Sequence, residues 1–251
     1  MFSEGVLSIQ GKEIMIESYV AVDLETTGLN PKHDRILEIG AVMIWNGQVE
    51  KEFSTLINPK REITDRIVDL TGISGEMVEN APGIEDVIEN VISFCGGLPL
   101  LGHNILFDYS FLKRAAVNSG YQFEKNGVDT LKLSRKFMPQ EEKKNLSAAC
   151  EWFHVKNDRA HRALADAYAA HELYQALKDR YSGQEPEAFS AQALQYHVKK
   201  EQPASKRQKD HLRDLLKYHK ISVSLQIDDL TRNEISRITD KIISQYGRIL
   251  K

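Results

Sequence analysis

Cysteine is scarce in this chain: Cys95 and Cys150 are the only two in 251 residues, and they stand far apart. Neither has the spacing of a metal-binding or redox pair, so a thiolate zinc centre and a dithiol redox site are both excluded. Cys95 lies in an apolar helical pattern and Cys150 follows Ala148-Ala149, which reads both as buried free thiols. Histidine pairs at ligand spacing are also missing, which removes the remaining route to zinc. No apolar run reaches membrane-spanning length and no signal-peptide pattern opens the chain, so the expectation is a cytoplasmic protein with no membrane partner. Internal repeats and low-complexity segments are absent too.

What remains is the composition of a globular protein, 41% hydrophobic and 27% charged. The length can bury one sizeable core with a small appendage. The net charge of −3 conceals an asymmetry. From Lys199 to Lys251 there are 13 Lys and Arg against 7 Asp and Glu, which leaves 20 against 29 in the rest. An acidic body with a basic tail suits an enzyme that neutralises its own carboxylates with metal and holds an anionic polymer elsewhere; a solvated helical tail has the same charge.

One segment resists a bland reading. Tyr19-Val20-Ala21-Val22-Asp23-Leu24-Glu25 is a buried-strand pattern carrying two acids, closed by the turn signal Thr27-Gly28-Leu29-Asn30-Pro31. Side chains alternate along a strand, so Asp23 and Glu25 share a face, about 6–7 Å apart. Two anions beside a core cost several kcal/mol unless a positive partner sits between them. A divalent cation is the simplest such partner.

The surrounding pattern predicts a mixed α/β architecture. Strands are expected over Ile36–Trp45 and from Gln48 to Ile57, joined by the hairpin signal Asn46-Gly47. Apolar residues at helical spacing predict a helix from Gly83 to Phe94. A short strand at Leu98–Gly102 is followed by a helix beginning near Phe107 and stopping at Gly120. Further helices are expected at Thr130–Phe137, Leu146–Phe153 and Arg162–Tyr181. A meander followed by strand–helix alternation indicates an antiparallel-plus-parallel sheet flanked by helices. Residues 1–182 would form this unit and 183–204 a linker in which Ala188–Val198 could make a short helix. Residues 205–251 would form a small basic helical module. Its two helices open on the capping boxes Ser205/Gln208 and Thr231/Glu234, with Leu212, Leu215 and Leu216 facing Ile235, Ile238, Ile242 and Ile243.

Two more acids stand where such a sheet ends. Asp108 follows the Leu98–Gly102 strand, and Asp166 lies early in an alanine-lined helix whose small residues allow close approach to the sheet. Asp23, Glu25, Asp108 and Asp166 together could hold two hard divalent cations, with positions left for water and phosphate. Two such ions about 3.5–4 Å apart stabilise the attacking and leaving oxygens of an in-line displacement at phosphorus. His161, five residues before Asp166, falls off that helix face and fits better in the preceding loop, leaning over the site. An imidazole with an ordinary pKa near 6.5 is suited to taking a proton from the attacking water. His33, His154, His171, His197, His211 and His219 do not join the site by spacing.

At this point the residues carry a resemblance. Asp23-Leu24-Glu25-Thr26-Thr27-Gly28, Gly102-His103-Asn104-x-x-Phe107-Asp108 and His161-x4-Asp166 resemble the three motifs of the DEDD exonucleases, in the histidine-bearing subgroup. The likeness runs from about Tyr19 to Tyr181 and includes the connecting segments Ile36–Val42 and Phe53 to Ile73. It is most similar to the proofreading domain of the Gram-positive type of replicative polymerase. The resemblance implies a ribonuclease H-like fold and 3′→5′ hydrolysis of DNA ends to nucleoside 5′-monophosphates, in proofreading or repair. It also implies two Mg²⁺ or Mn²⁺ ions on Asp23, Glu25, Asp108 and Asp166, with His161 as general base. Thr26, Thr27 and Gly28 would receive the terminal 3′-hydroxyl. Leu29 and Phe107 would touch the last base and sugar or be ordinary packing. Asn104 would contact substrate or brace the motif, and Thr71 falls near the terminal nucleotide.

Other readings remain open. Related enzymes trim RNA 3′ ends, although oligoribonuclease-type members usually carry methionine where this chain has Thr26. The tail beyond Ser205 lies outside the resemblance. Its Lys206, Arg207, Lys209, Arg213, Lys217 and Lys220 could track phosphates, or the module could dock a protein such as a DNA polymerase.

Overall fold

The protein is described from a computed structural model, for residues 15–156, 162–223 and 226–249. Three strands form the predicted antiparallel meander: β1 (Tyr19–Thr26), β2 (Ile36–Trp45) and β3 (Gln48–Leu56). Asn46 and Gly47 both take positive φ, the conformation a tight two-residue hairpin requires of them. Parallel to β1 run β4 (Leu100–Gly102) and then β5 (Asn126–Asp129), and the short β6 (Gln192–Ala193) closes the edge antiparallel. The sheet order is β3-β2-β1-β4-β5-β6.

Alternation along β1 builds two cores from one strand. Val20, Val22 and Leu24 pack with α3 (Ile84–Cys95) and α4 (Ile105–Asn118). Tyr19 and Ala21 pack on the opposite face with α5 (Thr130–Phe137), α6 (Leu146–Trp152) and α7 (Ala163–Tyr181), and the short α1 (Asp65–Thr71) and α2 (Gly75–Val78) lie between β3 and α3 in the chain. Each fully buried aliphatic side chain of β1 contributes roughly 1.5–3 kcal/mol of transfer free energy. Cys95 and Cys150 are buried free thiols, as expected.

The approach of α7 to the sheet depends on Gly40. A Cβ there would lie 2.1 Å from the carbonyl carbon of Ala163 and the amide nitrogen of Leu164. Only hydrogen fits, and Ala163, Ala167 and Ala170 are buried along the helix.

Some expectations need correction. α4 starts at Ile105, two residues earlier than predicted, because Asn104 takes the left-handed conformation (φ 75°) that lets the chain enter the helix directly from the motif. Ala188–Val198 is not a helix. Pro186–Phe189 is a 3₁₀ turn that inserts Phe189 beside Phe137 and Tyr174, after which β6 pairs with β5. α1, α2 and β5 were not anticipated.

The C-terminal residues form α8 (Lys206–Tyr218) and α9 (Arg232–Tyr246), each with its capping box complete. Leu212, Leu215 and Leu216 share a core with Ile235 and Ile242, and Ile238 and Ile243 pack at its edge. Among the described residues no helix is long and apolar enough to cross a membrane.

Candidate active site

The site forms where β1 outruns its neighbour. β4 pairs with β1 only at Val20 and Ala21, so beyond that point one edge of β1 has no strand beside it. Asp108, in the first turn of α4, fills the gap: its Oδ1 accepts the Leu24 N–H at 3.1 Å. A backbone donor that the sheet leaves unpaired thus fixes a catalytic-type carboxylate. On the other side of β1 the pairing with β2 slips by one residue between Glu25 and Thr26, a bulge in which Leu37 of β2 is the extra residue.

Asp23, Glu25 and Asp166 each present a carboxylate oxygen within 4.8 Å of the others. Asp166 reaches them because α7 begins tight against Gly40, the residue paired with Asp23. Burial pushes Asp23 well above the usual carboxylate range, and the charges of Asp108, Asp166, Glu25 and Glu38 push the same way. Asp108 is also held high, chiefly by burial, against the lowering effect of its backbone hydrogen bonds. Glu25 is raised to about 7 by burial and then by Asp166 and Glu38, with Arg162 opposing. Anions driven this far toward protonation are anions short of positive charge, and all their donor atoms are hard oxygens. That donor set fits a divalent cation such as Mg²⁺ or Mn²⁺.

Spacing gave no sign of the residues that brace this cluster. Glu38, buried on β2 opposite Glu25, accepts both Nε (3.1 Å) and Nη2 (2.6 Å) of Arg162 and the Ala163 N–H at 3.1 Å. It therefore holds the start of α7, next in sequence to His161. Asp129, at the end of β5, accepts the Asn104 N–H at 2.9 Å and caps α5 through Leu131 N–H. His103 is bridged by Thr130 Oγ1 and the Lys144 carbonyl, which makes it a brace, and burial lowers its pKa. A carboxylate three residues into a predicted strand or just before a helix is the one signal that could have singled out Glu38 and Asp129.

The remaining candidates lie around the mouth. Thr26 Oγ1 donates to the Gly28 carbonyl at 2.7 Å, and Thr27 Oγ1 accepts the Arg35 N–H at 2.9 Å, so the turn is internally tied. Leu29 is an apolar side chain that is 84% exposed. Phe107 is half-buried against Phe111, ring centroids 5.0 Å apart. The Asn104 side chain is exposed while its backbone is braced. Thr71 is buried, its hydroxyl donating to the Ile67 carbonyl and accepting the Ile73 N–H. His161 lies outside the described residues.

With this geometry in place, residues 20–174 match the family described as RNase T: Exonuclease. The chain belongs to that exonuclease family. The RNase T-family match ends before the α8–α9 module. A PolC-type DNA polymerase III of Caldanaerobacter subterraneus subsp. tengcongensis is 39% identical over 176 residues, which are 69% of this chain and 13% of the polymerase. The 3′-5′ exonuclease DinG of Bacillus subtilis is 41% identical over 153 residues, 60% of this chain and 16% of DinG. The chain thus spans only a small part of the curated relatives it matches. Among solved structures, exonuclease X in complex with 5′ overhanging duplex DNA superposes with a TM-score of 0.54 at 26% identity, covering 68% of this chain and 96% of that one. E. coli exonuclease I in complex with a dT13 oligonucleotide gives 0.60 at 17% identity, covering 68% and 43%, a likeness of fold. The mixed sheet with flanking helices is the ribonuclease H-like exonuclease fold that the motifs implied.

Proposed function

We propose that this chain is a metal-dependent 3′→5′ exonuclease that removes nucleotides from single-stranded or frayed DNA 3′ ends, in proofreading or repair. The observation that carries the reading is the meeting of Asp23, Glu25 and Asp166 at one point, with Asp108 fixed beside them on Leu24. Relatives named as a replicative polymerase, as DinG and as a DNA-bound exonuclease support DNA as the polymer.

Asp23, Glu25, Asp108 and Asp166 would hold two divalent cations, Mg²⁺ or Mn²⁺, whose charge stabilises the negative charge that develops on the phosphate. His161 takes a proton from water as the water oxygen bonds to the terminal phosphorus. The bond from phosphorus to the neighbouring 3′-oxygen breaks, releasing a 5′-monophosphate and leaving a new 3′-hydroxyl on the strand. Thr26, Thr27 and Gly28 receive the terminal 3′-hydroxyl, and Leu29 and Phe107 cover the last base and sugar. Such apolar contacts need not read sequence, so base specificity is low. Thr26 disfavours the oligoribonuclease-type branch, whose members usually carry methionine there, and trimming of RNA 3′ ends by the same chemistry is the alternative reading. A polymerase partner would place the activity in replication, with the basic α8–α9 module as the candidate docking part.

The test is a 5′-labelled DNA strand, a mismatched duplex end and an RNA of the same sequence, each with Mg²⁺, Mn²⁺ or chelator. One-nucleotide shortening of DNA is expected with metal only, and His161→Ala should slow it by about 10²–10⁴-fold. Activity in excess chelator, or full activity of that variant, would overturn the mechanism; preference for RNA would overturn the substrate.

A further inference from the structure

The capping boxes of α8 and α9 are closed by different groups, an amide in one and a carboxylate in the other. Ser205 is answered by Gln208 and Thr231 by Glu234, so the same molecule shows that a neutral amide completes such a box. The charge of Glu234 is therefore not needed for the cap. It is 3% exposed, and its Oε2 accepts from the Thr231 backbone and hydroxyl, both at 3.0 Å. Its Oε1 turns outward to the nuclease body, where it accepts Arg61 Nη2 at 3.0 Å and Arg35 Nη2 in an ion pair.

Both arginines lead to the loop between β1 and β2. The Arg35 carbonyl accepts the Thr27 N–H at 2.8 Å, and the Arg35 N–H donates to Thr27 Oγ1. Arg61 Nη1 donates to the His33 carbonyl at 2.6 Å, and Arg237 of α9 hydrogen-bonds the His33 ring. One carboxylate in the appended module is thus two links from Thr27. A groove of about 350 Å³ opens along the same junction, lined by Phe111, Arg114 and Asn118 of α4 and by Asp229, Leu230 and Thr231 of the module. Without the anion, Arg35 and Arg61 would face each other as like charges, half-buried.

We infer that Glu234 is a positioning residue for the 3′-end seat: by pairing with Arg35 and Arg61 together, it lets the C-terminal module hold the Thr27–Arg35 loop in its binding conformation. This rests on the reading of Thr26–Gly28 as the seat. The clean variant is Glu234→Gln in the full chain, which keeps the capping box and removes the charge. It should raise KM for a 5′-labelled single strand about 10-fold or more while kcat stays near the wild-type value. Hydrogen exchange at the Thr27 and Arg35 amides should quicken, with the α8–α9 amides unchanged. Arg35→Met, which leaves the module untouched, should produce the same KM change, and the double variant should add little to either. Wild-type KM and unchanged loop exchange in Glu234→Gln would overturn the inference. So would a proportional loss of kcat with faster exchange throughout, which marks a general loss of structure. If the wild-type chain has no nuclease activity, the functional reading fails, and the loop exchange alone still decides whether Glu234 holds the loop.

Discussion

Glu38 and Glu25 sit opposite each other on neighbouring strands, yet their surroundings differ completely. Glu38 is answered by a guanidinium and a backbone N–H, whereas Glu25 faces Asp166 and is raised to about 7. The first is matched by positive charge and the second is short of it. Asp23 and Glu25 stood out in the sequence because two acids in an apolar strand have few structural explanations. Asp108 and Asp166 stood out by their place at the end of the sheet and by the motifs they complete. Glu38 and Asp129 did not, because an acid whose partners are a distant arginine or a backbone N–H leaves no spacing signature. Glu38→Gln should lower the hydrolysis rate about 10–100-fold by loosening the start of α7, the usual cost of losing a group that orients ligands. Arg162 is half-exposed and can turn to water, so the stability loss should be only about 1 kcal/mol. Asp23→Asn should cut the rate by at least about 10²–10³-fold, as for the loss of a principal electrostatic group. Initial rates on a labelled strand, beside urea unfolding of each variant, separate these two signatures.

Elements with long, marked patterns were read correctly: β1 and β2 are near-continuous apolar runs, and α3 and α7 are long helices. Short elements were missed for a physical reason. β5 is Asn-Gly-Val-Asp, with one strand-forming residue in four, and exists because β4 offers it a parallel edge. α1 and α2 are seven and four residues long, too short for a periodic stripe to show, and are held by Ile63, Ile73 and Val78 packing on Leu37. Phe189 and β6 were hidden in a polar stretch for the same reason, since tertiary contacts and not local preference order them. The closest element contact gives the sharpest test. Gly40→Ala would drive a methyl group into the Ala163 backbone, which cannot step aside as a side chain could. The expected loss is about 1–3 kcal/mol in urea denaturation, with a further fall in activity as Asp166 moves off β1. Gly75→Ala is the matched control, since a Cβ there meets nothing within 4 Å, and it should be neutral or stabilise by a few tenths to about 1 kcal/mol.

For the whole molecule, the acid cluster links folding, protons and metal. Burial and mutual repulsion raise Asp23, Glu25 and Asp108 above their ordinary values, Glu25 from 4.5 to about 7. The folded chain therefore binds protons there that the unfolded chain has already released. Stability from this cluster is present below about pH 4.5 and is lost as pH rises toward and past 7. Glu234 and Asp228 are held low by their arginine partners and act in the opposite sense, their contribution lost as pH falls. The cluster is isolated by comparing wild type with Asp23→Asn under chelator: the variant should melt higher at pH 8, and the gap should close toward pH 5. Metal replaces the missing protons, so its stabilising effect should grow over that same window. At a hundredfold excess over the dissociation constant it is worth about 2.7 kcal/mol, which for a chain of this size is about 5–10 °C in Tm. Scanning calorimetry with Mg²⁺ or chelator, at pH 5.5 and pH 8, reads both effects. Melting of the metal-free wild type at or above the variant at pH 8, or an equal Mg²⁺ increment in Asp23→Asn, would show that the buried acids are not the metal's seat.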